Sequence, residues 1–113
     1  LAWLDDLMGR LPAETEKLIL FTPVHRIAQP VAGSAAAAQE GECKRQVVAL
    51  AQRHRGRVID FRIDSEITRN DLNYWDKLHF RTPIADRLVG LIAEARAGDD
   101  ARPAHGLYHV LVP

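Results

Sequence analysis

The sequence predicts an α/β fold. Two short apolar runs, Leu18–Phe21 and Val58–Phe61, have the length and composition of buried strands. Between them lies a stretch with helical spacing, so Leu18 to Phe61 has the size of a strand, helix, strand crossover of right-handed type.

Each element follows from local pattern. Leu4, Leu7, Met8 and Leu11 fall at i, i+3, i+4 and i+7, one face of a first helix flanked by Trp3, and Pro12 ends it. Lys17–Thr22 then reads as a strand apolar on both faces, closed by Pro23, as in parallel sheets. His25 to Ser34 is a loop, with Pro30 and Gly33. Ala35 to His54 is a second helix with a possible break at Gly41. Its apolar face runs through Cys43, Val47, Leu50, Ala51 and His54, which makes Cys43 a small core residue. Arg53, His54 and Arg55 suit the helix C-terminus, and Gly56 supplies the stop. Arg57–Arg62 is the second strand. Ile63 to Arg81 is a long loop with a helical turn near Ser65. Thr82 as N-cap and Pro83 at the first helical position open a third helix along Ile84, Leu88, Leu91 and Ile92, closed by Gly98. Leu107 to Val112 is a candidate last strand.

Composition narrows the function classes. Fifteen basic residues balance fifteen acidic ones. A neutral chain with scattered charges offers no footprint for nucleic acid or an anionic membrane. No apolar stretch approaches the roughly 18 residues of a membrane span. A single cysteine excludes an internal disulfide or a multi-cysteine zinc site, and His105 and His109 lack ligand spacing. Neither a metal nor another cofactor is expected. The first residues read as the middle of a helix, with no initiator Met and no signal-peptide pattern. Residues 1–113 are therefore expected to form a single domain or the C-terminal portion of a larger one.

The loop before the third helix carries the chemistry. It is dense in polar and aromatic groups from Asp71 to Arg81. A nineteen-residue connection in a small domain is unusual unless it has a task. Asp76 and His79 are three apart, so on a turn the carboxylate reaches one ring nitrogen. That fixes the tautomer and frees the other nitrogen as a general base. The competing reading is a surface ion pair that only pins the loop. Tyr74, Trp75 and Phe80 suit either stacking on a substrate or anchoring to the core. Arg81 suits an anion clamp or an ion pair with Asp76 or Asp86. His25, just past the first strand, falls where strand ends face a site and is a candidate pocket residue.

The segment Asn73–Leu88, and most specifically Asp76–Arg81, resembles the last block of SGNH (GDSL-type) hydrolases, in which an Asp-x-x-His motif precedes the C-terminal helix. The resemblance extends in outline from Lys17 to Ala97. It implies a three-layer, flavodoxin-like, mostly parallel sheet with flanking helices, of which this chain is the C-terminal half. It also implies ester hydrolysis or acyl transfer, with His79 as base and Asp76 as its orienting group. Tyr74, Trp75, Arg81 and His25 would contact a small-molecule or glycan ester. The family's nucleophilic Gly-Asp-Ser motif, its oxyanion Gly and its Gly-x-Asn-Asp block are absent; Asn70-Asp71 lacks the preceding Gly. Ser34 and Ser65 sit where helix caps belong. The nucleophile is thus expected in an upstream half of the same polypeptide, in an exported or membrane-tethered setting like that of cell-envelope relatives. The rival expectation is a non-catalytic module whose aromatic loop, residues 73–81, binds glycan or a protein partner.

Overall fold

A computed structural model describes all residues 1–113. Four helices, α1 (Ala2–Arg10), α2 (Ala35–Arg53), α3 (Glu66–Arg69) and α4 (Thr82–Ala97), accompany three strands, β1 (Leu18–Phe21), β2 (Arg57–Asp60) and β3 (His109–Val112). The sheet order is β1-β2-β3. β1 and β2 are parallel, with Leu18 opposite Arg57 and Phe21 opposite Asp60. β3 is antiparallel to β2, with Asp60 opposite His109 and a bulge between Val58 and Ile59.

The expected three-layer, flavodoxin-like, mostly parallel sheet is therefore not the fold: this is a small α+β arrangement with one parallel strand pair. The last connection explains the difference. The C-terminal turn of α4 lies at the start of β2, where the Arg57 guanidinium donates to the Arg96 carbonyl. A strand begun there would run parallel to β2. Instead residues 98–108 carry the chain back toward the far end of the sheet, burying Leu107 and Tyr108 on the way. The chain turns at Gly106, whose φ of +68° lies in the region that favours glycine, and descends as β3.

Strand alternation divides the core. Ile59, Leu18, Leu20 and Val110 meet Ile84, Leu88, Leu91 and Ala95 of α4. Val58, Val112, Ile19 and Phe21 meet Val47 and Ala51 of α2 on the opposite face. Burying each such aliphatic side chain contributes about 1.5–3 kcal/mol. β1 is only half-buried along its length, against the expectation of burial on both faces, because it has a single neighbouring strand.

Other local expectations are also corrected. α2 runs unbroken through Gly41. Cys43 is exposed, since only the C-terminal half of α2 (Val47, Leu50, Ala51) packs on the sheet. Thr82 lies inside α4 and Arg81 holds the N-cap position without a side-chain bond. Lys44 of α2 latches to the end of β2, with Nζ 2.6 Å from Asp60 Oδ2 and 3.0 Å from the Arg62 carbonyl.

α2 ends on a Schellman-type reversal. The Gly56 N–H donates to the Ala51 carbonyl at 2.8 Å, and the left-handed residue is Arg55, with φ of +55°. Gly56 closes the helix end through that N–H and also packs tightly on α1: a Cβ there would lie 2.9 Å from Met8 Cε, so that side chain would have to shift. Arg55→Gly should therefore raise unfolding free energy by about 1 kcal/mol by relieving the left-handed strain. Gly56→Ala should lower it by under about 1 kcal/mol, because the atom that must move is the terminal methyl of a flexible methionine. Urea denaturation with unchanged m-values checks both.

Candidate functional site

The parallel strands deliver the chain to one end of the sheet, and the loops leaving β1 and β2 converge there. After β1, Pro23 and Val24 are buried and His25 follows. After β2, Ser65 caps α3, its hydroxyl accepting from the Thr68 N–H in a capping box with the Thr68 side chain. A 3-10 turn at Asp71–Asn73 leads into the segment carrying Asp76 and His79.

That segment is a closed turn. Tyr74 bridges antiparallel to Phe80, the Trp75 N–H donates to the His79 carbonyl at 2.9 Å, and the Arg81 N–H donates to the Asn73 carbonyl at 2.8 Å. Within it, Asp76 Oδ1 accepts from the backbone N–H groups of Leu78 (2.8 Å) and His79 (3.0 Å). This Asx-type turn is the reason for Asp at that position. The His79 Nδ1–H points at the same carboxylate, 2.9 Å from Oδ1 and 2.8 Å from Oδ2. His79 is thus fixed as the Nδ1–H tautomer, and Nε2 has no protein partner. The side chains of His79 and Asp76 are 72% and 60% exposed.

The remaining predicted residues gather around this pair in distinct roles. Tyr74 is 5% exposed, and its hydroxyl is buried without a hydrogen-bond partner. Burial pushes the Tyr74 phenol up to about 12. Trp75 is 74% exposed, with the Arg81 guanidinium 4.2 Å from its ring centroid. Such a cation–π contact contributes about 0.5–1 kcal/mol at an exposed site. Arg81 also donates through Nε to the Tyr74 carbonyl, so the ion pair with Asp76 or Asp86 does not form. Phe80 packs against the core below α4. His25 Nε2–H donates to Asp71 Oδ1 at 2.7 Å, while Nδ1 accepts from the Ile27 N–H. His25, Tyr74, Trp75, Asp76 and Lys77 line an open cleft of about 240 Å³ beside the dyad.

Proximity to a carboxylate alone does not single out His79, because His25, His54 and His105 also contact one. His25 and His105 use both ring nitrogens. His54 is bound at the seam between α1 and α2, its side chain 21% exposed. His54 Nδ1 and the His109 ring also have no hydrogen-bond partner, but both side chains are partly buried; His79 is the exposed one, and its partner Asp76 lines the aromatic cleft. A wider groove of about 740 Å³ runs between α1 and α2, lined by Leu1, Asp5, Gln46 and Arg53, but holds none of the predicted site residues. Asp5 there is already bound to His54.

Both serines are occupied as helix caps. Ser34 Oγ accepts from the Ala37 N–H at the start of α2, and Ser65 is buried in its capping box. No group of three metal-ligating side chains is close enough to hold an ion. No helix is long and apolar enough to cross a membrane. The pairing of His25 with Asp71 and Lys77 is not legible in the sequence, because His25 lies 46 residues from Asp71 and no local spacing connects them. Compared with protein-family models, curated proteins and solved structures, the chain matches none.

The Leu78 N–H, then the His79 ring, hold the Asp76 carboxyl below the usual aspartate value. A depressed carboxyl favours the folded turn above the unfolded-state value, and that contribution is lost as pH falls through the lower, folded value. Carbon-13 titration of the Asp76 carboxylate should therefore show a midpoint below that of an unstructured aspartate. His79→Ala should raise it only partway, because the Leu78 donor remains. A normal midpoint in the wild-type chain would contradict the turn geometry.

Proposed function

We propose that this chain is the dyad-bearing part of a serine ester hydrolase or O-acyl transferase of SGNH type, acting on a small-molecule or glycan ester. The observation that carries the reading is the tautomer lock on His79: Nδ1–H on Asp76, which lines the cleft, and Nε2 without a protein partner on an exposed ring. His79 Nε2 takes the proton of a serine hydroxyl as its oxygen attacks the ester carbonyl carbon. Asp76 stabilises the imidazolium. Collapse of the tetrahedral adduct expels the alcohol, which receives the proton from His79 and leaves an acyl-serine. Water, or the hydroxyl of an acceptor, then gives its proton to His79 and attacks the acyl carbon. The serine oxygen leaves with the proton returned by His79. Ser34 and Ser65 already cap helices, so the nucleophile and the oxyanion donors are assigned to an upstream part of the parent polypeptide.

One observation favours a second reading, in which residues 73–81 bind glycan without catalysis. Trp75 is an exposed apolar plate stiffened by Arg81. A single assay separates the two. Hydrolysis of an activated aryl ester by the full parent polypeptide should fall by about 10³ or more in His79→Ala. Equal turnover of wild type and variant would remove the enzymatic reading and leave the binding module.

A further inference from the structure

The loop after β1 and the loop carrying the dyad are tied at one residue. The His25 backbone N–H donates to the Lys77 carbonyl at 2.9 Å, inside the turn between Asp76 and His79. Its ring spans the two loops. Nδ1 accepts from the Ile27 N–H, fixing its own loop, and Nε2–H donates to Asp71 at the entrance of the other. The edge of the ring meets Tyr74, with centroids 5.3 Å apart and planes at 77°. The His25 side chain is 15% exposed and Asp71 is 91% exposed, so the ring is the enclosed end of this tie.

With both nitrogens engaged, His25 has none to offer a substrate. From this geometry we infer that His25 is a positioning residue: it holds the 71–77 segment so that Asp76 stays aligned with the Nδ1–H of His79. The inference rests on the reading of Asp76 and His79 as orienting group and base. It gives a reason for a histidine here. A neutral Nε2–H imidazole supplies one acceptor and one donor on opposite sides of a rigid ring, which suits a bridge between two loops. Alanine at this position keeps the backbone bond to Lys77 but loses the bridge.

Nitrogen-15 NMR of the histidine rings in the 113-residue chain tests it without requiring catalysis. In the wild type, neutral His79 should be almost wholly in the Nδ1–H form. In His25→Ala it should become a mixture of both tautomers, with a smaller change in the same direction in Asp71→Ala. His25→Gln, whose amide reaches toward Asp71, should restore part of the wild-type signal. In the parent polypeptide His25→Ala should lower kcat by about 10- to 100-fold, with KM moved far less, the pattern of a misplaced base. An unchanged His79 tautomer in folded His25→Ala, or no recovery in His25→Gln, overturns the inference. If His25→Ala does not fold, Asp71→Ala, altered at an exposed residue, decides alone. A wild-type His79 lacking the Nδ1–H form would instead remove the dyad reading itself, so the two failures are distinct.

Discussion

Everything in this small structure depends on β2 being covered on all sides. With three strands there is one interior position, and the chain gives it to Arg57–Asp60, where Val58 and Ile59 are buried on opposite faces. Val58 needs α2 above it and Ile59 needs α4 below it, so the two long helices are placed by one pair of adjacent side chains. Burial of both faces leaves the backbone of β2 dependent on β1 and β3 for its hydrogen bonds. The same strand ends at Asp60, which takes Lys44, and Phe61, the next residue, packs on Tyr108, so the end of the sheet facing the site is fixed by side chains.

The candidate site is built from local constraints added to that frame. Asp76 organises its own turn through two backbone donors and orients His79 with the same carboxylate. Tyr74 and Phe80 face each other across the base of the turn and anchor it by burial. Trp75, one residue from Tyr74, points the other way because successive residues in extended backbone alternate sides. One short extended stretch therefore supplies both an anchor and an exposed plate.

What could be read from the sequence was local. The Asp76–His79 contact, the capped turn after Ser65, α1, α2 and α4, and the strand cores at Leu18–Phe21 and Val58–Asp60 all follow from spacing within a few residues. What could not be read depends on distant partners. The direction of β3 is decided by how residues 98–108 carry the chain back to the end of the sheet where β2 finishes, and nothing in His109–Val112 itself encodes it. Cys43 matches the periodicity of the α2 core face, yet the helix overhangs the sheet at that turn. Arg81 faces Trp75 instead of a carboxylate, an outcome set by the fold of the turn. The resemblance to SGNH hydrolases drew on the Asp-x-x-His block, and the flavodoxin-like sheet that it implied is replaced by a mixed one.

The openness of the dyad has an electrostatic consequence. Asp76 and His79 meet in contact with bulk water, where a carboxylate and an imidazolium attract weakly. The same contact strengthens about fourfold if the effective dielectric around it falls from that of water to about 20. The carboxylate's hold on a charged ring is therefore set by what lies over the pair as much as by the pair's own geometry.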